Sequence, residues 1–156
     1  MKILHVISSL NPEDGGPVES VKQYCENYKL DNFVGEVVCS DNPNSKWLKN
    51  KNLPKIYALG PVNYKYSYNT SLYKWLDKNV RSYDAIIVNG IWQFHSIAVR
   101  NACVKYKIPY FLFTHGMLDP YFNQDKLKFI KKFFYWIFFE RKVLRDAKKV
   151  IFTTDV

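Results

Sequence analysis

"KILHVISSLNPEDGGPVESVKQYCENY", residues 2–28, decides the fold. Its opening, KILHVIS (2–8), is apolar and β-rich with no polar alternation. That pattern suits a strand covered on both faces rather than one with a wet side. A polar loop ending in Gly15 and Gly16 follows. Pro17 then opens the segment PVESVKQYCENY at a first helical position, where its missing N–H costs nothing. Val18, Val21, Tyr24 and Cys25 fall on one face of that helix. Strand, glycine loop and helix make the first part of a βαβ unit.

The rest of the chain repeats the alternation. FVGEVVCS (33–40), KIYAL (55–59), DAIIVNG (84–90), PYFLFT (109–114) and KVIFTT (149–154) read as strands. TSLYKWLDKNVRSY (70–83), SIAVRNACVKYK (96–107) and residues 125–147 read as helices, and 41–54 and the tyrosine-rich stretch from Gly60 read as loops. Units of this kind join by right-handed crossovers. The expected fold is therefore α/β: a Rossmann-like, doubly wound, mainly parallel sheet with helices on both faces. With no internal repeat, low-complexity tract or linker, residues 1–156 read as a single domain.

Composition agrees with a folded domain, at 47% hydrophobic and 24% charged residues. Cys25, Cys39 and Cys103 are widely spaced and form no C-x-x-C pair. They suggest neither a disulfide framework nor a zinc ribbon, and are expected to be reduced core thiols. The apolar run after Lys2 contains His5 and leads into NPED rather than a small-residue cleavage site, so no secretory signal is read. No apolar stretch approaches the ~20 residues of a bilayer span. The expected location is cytoplasmic. The net charge of +9 is uneven: residues 126–149 carry nine basic and two acidic side chains, residues 1–125 fourteen and eleven.

Ligands of parallel α/β sheets bind beyond the carboxyl ends of the strands. Three tips stand out: SLNPEDGGP, NGIWQFHS and HGMLDP. Gly15 and Gly16 before a helix start would let a ligand approach the backbone, and a helix N-terminus attracts anions. They match neither G-x-G-x-x-G nor a P-loop, and equally suit a flexible loop. Asn89, Trp92 and His95 set a flat aromatic face beside hydrogen-bonding groups, which suits a sugar or a ring; alternatively His95 or Ser96 simply caps a helix. His115, followed by Gly116, sits where a strand ends and is either a catalyst or a satisfied structural group. His115 and Asp119 lack the further ligands of a metal site, and none is expected. The absence of D-x-D disfavours metal-dependent nucleotide-sugar chemistry, and no G-x-S-x-G occurs.

FFYWIFF (133–139) is apolar all around a helix. Such a segment must be buried, inserted in a bilayer surface, or covered by a partner. It is ~10 Å long, too short to span. Lys128, Lys131 and Lys132 precede it and Arg141 follows. With Phe134 and Trp136 these cations have the composition of an interfacial membrane contact. A core helix with a solvated basic edge fits as well. Nucleic acid is disfavoured, because no binding motif accompanies the charge.

Three stretches together resemble the amino-terminal domain of family-4 glycosyltransferases of the GT-B fold, of the bacterial surface-polysaccharide type. They are MKILHVISSLNPEDGGPVESV, DAIIVNGIWQFHSIAV, and IPYFLFTHGMLDPYF continued by FFERKVLRDAKKVIFTTD. The resemblance covers nearly the whole chain, and the His-Gly-Met-Leu-Asp-Pro run is its most specific part. It implies two Rossmann-like halves with a reaction cleft between them, and metal-independent transfer with retention of configuration. The amino-terminal half would hold a saccharide or lipid-linked acceptor. The nucleotide sugar would be a co-substrate bound by a carboxyl-terminal half, which these 156 residues do not include. By motif match, Gly15 and Gly16 would lie near the donor phosphates and His115 at the reaction centre. Trp92, His95 and Asp119 would line the acceptor side. The basic aromatic helix would face an anionic membrane, on the inner face of the cell membrane. The chain alone is expected to be inactive, with its donor half supplied by a further domain or subunit. No nucleic-acid partner and no cofactor beyond the nucleotide sugar are implied.

Overall fold

A computed structural model of the protein describes residues 1–28, 32–49, 53–62, 66–118 and 134–152. Six strands form one sheet: β1 (Lys2–Ile7), β2 (Val34–Cys39), β3 (Lys55–Ala58), β4 (Ala85–Asn89), β5 (Tyr110–Phe113) and β6 (Lys149–Ile151). Their order is β3-β2-β1-β4-β5-β6 and every pairing is parallel. The helices are α1 (Gly16–Asn27), α2 (Thr70–Asn79), α3 (Phe94–Tyr106) and a short α4 (Arg141–Asp146). This is the Rossmann-like α/β fold that the strand–helix alternation predicts.

The apolar strands bury both faces, as parallel sheets must. On one face Leu4, Val6, Val38, Ile86, Val88 and Leu112 pack against Leu72 and Leu76 of α2, Val99 and Cys103 of α3, and Val143 of α4. On the other, Ile7, Val37 and Cys39 pack against Val18, Val21 and Cys25 of α1. The three cysteines are buried and unpaired. At the amino edge Glu36 is buried among Lys2 (3.2 Å), Tyr83 (2.6 Å) and Tyr57 (3.1 Å). Burial alone would raise its pKa, but these hydrogen bonds outweigh it and hold the carboxyl below its ordinary value.

Local signals explain most element boundaries. Asn69 caps α2, its side chain accepting from the Leu72 N–H at 3.1 Å. Lys107 ends α3 in the left-handed conformation. Two expectations change. The third helix begins at Phe94 rather than Ser96, with Gln93 at its N-cap; neither His95 nor Ser96 caps it, and the Ser96 hydroxyl instead donates to the Gln93 carbonyl. The long helix expected over 125–147 is helical throughout its described residues 134–146 but not uniformly α: a π-helical turn (Trp136–Glu140) interrupts it and leads into α4. Residues 119–133 lie outside the described part. A π turn widens the helix by one residue per hydrogen bond and so re-aims its side chains. Here it turns Glu140 inward while Ile137, Phe138 and Phe139 stay exposed.

Candidate functional site

The sheet order reverses between β1 and β4, which are neighbours although the chain leaves them toward opposite edges. A crevice opens at such a switch point, outside the carboxyl ends of the strands. It measures about 490 Å³ and is lined by Ser9, Asp14, Pro17, Asn89, Trp92 and Met117, among others. A hollow of about 370 Å³ lined by Cys25, Glu26, Phe33 and Lys55 lies at the opposite, amino edge, away from every strand tip.

The β1 tip forms one wall. Asp41, buried just beyond β2, accepts from the Ser9 hydroxyl at 2.8 Å and from the Leu10 N–H at 2.7 Å, and so pins the loop. Gly15 then adopts φ 73°, ψ −134°, a conformation open essentially to glycine, and delivers the chain into α1. Asp14 and Pro17, on either side of Gly15 and Gly16, line the crevice.

The β4 and β5 tips form the other wall, and they are latched together. Gly90 N–H donates to the Phe113 carbonyl at 2.8 Å. The Trp92 indole N–H donates to the Met117 carbonyl at 3.1 Å, and the Ile91 N–H approaches the Met117 sulfur at 3.4 Å. Trp92 and His115 both sit in the left-handed region, at φ 69° and 48°. Non-glycine residues there cost of order 1–3 kcal/mol each and cluster at functional sites. His115 stacks on Phe113, ring centroids 4.3 Å apart.

Asn89, Trp92, His95 and His115 therefore converge. Asn89 ends β4, is 2% exposed, and its carboxamide oxygen lies 3.3 Å from His115 Nε2. His95 is fully buried, its Nε2 held at 3.0 Å by the Asn89 carbonyl. Asp119 lies outside the described residues, as do Lys128, Lys131 and Lys132. Two contributors were missed in the sequence. Met117 sits inside the quoted His-Gly-Met run, but nothing local marks it as a latch. Asp41 follows its strand by only two positions, and an aspartate near a strand tip was the available signal.

Burial lowers the pKa of His5, His95 and His115 to about 4, so all three rings are neutral near pH 7. Burial raises Glu140 to about 7, with the Trp92 backbone and the Ser96 hydroxyl partly opposing it. Neither donor completes a hydrogen bond of normal geometry, and both carboxyl oxygens are left without one. Among the described residues no cluster of His, Cys, Asp or Glu could hold a metal ion.

Away from the crevice, Phe134, Ile137, Phe138 and Phe139 are 41–57% exposed, whereas Trp136 is half-buried against Trp92 at a centroid distance of 5.8 Å. Arg141, Lys142 and Arg145 follow on the exposed side of α4. No helix among the described residues is long and apolar enough to cross a membrane.

No family model matches the chain, and no curated protein matches it. Solved structures do share its fold. UDP-GlcNAc 2-epimerase from Methanocaldococcus jannaschii matches with a TM-score of 0.64 at 14% identity, over 99% of this chain and 40% of its own. Anabaena HepE in complex with UDP and glucose matches at 0.60 and 18%, over 96% and 37%. MurG of Acinetobacter baumannii matches at 0.58 and 13%, over 99% and 42%. The likeness establishes the fold: a Rossmann-like α/β unit of parallel strands and covering helices. The chain spans about two fifths of the length of these structures.

Proposed function

We propose that the chain is the acceptor-side half of a retaining, metal-independent glycosyltransferase of the family-4, surface-polysaccharide type. It would move a sugar from a nucleotide sugar to a saccharide or lipid-linked acceptor. The crevice at the β1/β4 switch point carries this reading, because it sets the amino end of α1 opposite Asn89 and Trp92, with the neutral His115 ring against Asn89. Such a site suits an anionic leaving group on one side and a sugar on the other. The fold alone does not choose the reaction. The UDP and glucose bound to Anabaena HepE support a nucleotide sugar, and the His-Gly-Met-Leu-Asp-Pro resemblance favours transfer over epimerisation.

In this reading backbone N–H groups near Gly16 face the donor phosphates as the glycosidic bond loosens. The departing pyrophosphate takes up the acceptor proton. His115 positions the transferred sugar; Trp92 offers its ring face to the acceptor, with Asp119 beside it. Asn89 and His95 shape that wall from behind. The nucleotide-sugar site and its Glu-x7-Glu element come from a further domain or a separate subunit, and the 156 residues alone have negligible transferase activity. Joined to a donor-binding domain, the chain should transfer sugar in the presence of a chelator. His115→Ala should lower that turnover by about 100-fold or more. Unchanged turnover refutes the role of His115, and robust turnover by the isolated chain refutes the division of labour.

A second reading rests on the exposure of Phe134, Ile137, Phe138 and Phe139 beside Arg141 and Lys142. An aromatic ridge flanked by cations suits peripheral docking on an anionic, cytoplasmic-facing membrane surface. Flotation with vesicles containing phosphatidylserine should recover the chain. Arg141→Glu with Lys142→Glu should lose that recovery, each charge near the surface contributing roughly 1 kcal/mol. No binding at any lipid composition eliminates the membrane.

A further inference from the structure

A polar chain runs through the sheet face under α1. Tyr28 Oη lies 2.9 Å from His5 Nε2, and His5 Nδ1 lies 3.3 Å from the carboxamide nitrogen of Asn89. The carboxamide oxygen of Asn89 lies 3.3 Å from His115 Nε2. The direction of every proton in this chain is determined by two groups outside it. The Asn89 nitrogen also faces the backbone carbonyls of Val6 and Ile87, each at 3.3 Å. Carbonyls can only accept, so the atom facing them must be the amide NH₂, and the oxygen must face His115. The reverse orientation would press three acceptors together in a site 2% exposed.

We infer that Asn89, with His5 behind it, is a positioning residue that fixes His115 as its Nε2–H tautomer, so that the half-buried strand-tip imidazole presents a hydrogen-bond acceptor at Nδ1 and not a donor. An acceptor-only Asn89 oxygen demands the proton on His115 Nε2. The Asn89 NH₂ demands a lone pair on His5 Nδ1, which puts the His5 proton on Nε2, facing Tyr28 Oη. Burial keeps both rings neutral, which the scheme requires. Nδ1 of His115 has no hydrogen-bond partner among the described residues. The ligand group it takes is a hydrogen-bond donor, such as a sugar hydroxyl. It cannot donate to an anionic oxygen, and so has no direct role on a phosphate. This consequence for the ligand rests on the glycosyltransferase reading of the crevice; the tautomer itself does not.

His95 supplies an internal control. Its Nε2 meets the Asn89 backbone carbonyl at 3.0 Å, so it too must be Nε2–H, by a contact that no change to the Asn89 side chain removes. The test is a long-range ¹H–¹⁵N spectrum of the ¹⁵N-labelled full chain at neutral pH, which distinguishes the two neutral tautomers of each ring. In the native chain all three histidines should show the Nε2–H pattern. In Asn89→Leu, His115 should lose the single-tautomer pattern while His95 keeps it, which also shows that the variant is folded. His115 found as Nδ1–H in the native chain overturns the inference without need of any variant. His115 remaining a single Nε2–H tautomer in Asn89→Leu overturns the role of Asn89. Either result leaves the glycosyltransferase reading to its own turnover assay.

Discussion

The two faces of one sheet are built for different ends. Under α2, α3 and α4 the central strands present Leu4, Val6, Ile86, Val88 and Leu112, all fully buried hydrocarbon. Under α1 the same strands present His5 and Asn89, joined to Tyr28 and His115. Successive side chains of a strand point to opposite faces, so β1 serves both, with Leu4 and Val6 on one face and His5 on the other. The hydrocarbon face contributes stability by burial. The polar face spends buried volume on hydrogen bonds whose net worth is small, and it ends at the crevice. A buried polar chain that leads to a strand tip is better explained by what it orients than by what it stabilises.

The largest effect should come from breaking the hydrocarbon face. Leu112→Ala should lower the unfolding free energy by about 2–5 kcal/mol in urea titration. Asn89→Leu, on the other face, should cost about 1–3 kcal/mol, because His5 and two carbonyls lose their donor. If Asn89→Leu proves the costlier of the two, the contrast between the faces fails.

Glu140 sharpens the contrast, since it is a buried carboxyl on the hydrocarbon side. Its folded pKa of about 7 lies above its ordinary 4.5, so the folded state binds the extra proton between those values. Its contribution is present below pH 4.5 and is lost as pH rises through 7. Glu140→Gln should therefore gain stability relative to the native chain between pH 5 and pH 8, by up to about 2–3 kcal/mol. A pH-independent difference would mean that the carboxyl is solvated or paired.

The histidines have the opposite sign. Their folded pKa values of about 4 lie below the ordinary 6.5, so the unfolded chain binds more protons between those values. Stability is full above pH 6.5 and falls as pH drops toward 4. Urea titrations at pH 7 and pH 5 should show that loss, and His115→Gln should make it shallower. An unchanged slope would mean that His115 is already open to water. The smallest effect belongs to Tyr28→Phe, which removes the far end of the polar chain and should cost about 1 kcal/mol.

Much of this was legible in the residues. Uninterrupted apolar strands between amphipathic helices specify a parallel, doubly covered sheet, because only that arrangement buries both strand faces and satisfies the backbone. The three strand tips could be located the same way, and Gly15, Asn89 and His115 lie at them. What Asn89 and His95 do there could not be read. The partners of the Asn89 side chain are a carbonyl of β1, an imidazole 84 residues away and a strand tip 26 residues on, and no local pattern encodes such distances; His95 bonds the nearby Asn89 carbonyl, but its full burial comes from the packing of the whole sheet. The aromatic run shows the same limit. Its composition left burial, membrane and partner open, and a π-helical turn determined which side chains face out.

The sequence by itself determined the fold class, since strand and helix periodicity are local and the right-handed crossover leaves few topologies. It also placed histidine, asparagine and glycine at strand ends. Only the tertiary structure decided that the β1, β4 and β5 tips meet in one crevice, that Met117 latches two of them, and that one amide sets the protons of two imidazoles. Those facts depend on register between strands distant in the chain, and register is fixed by packing across the whole sheet rather than by any single segment.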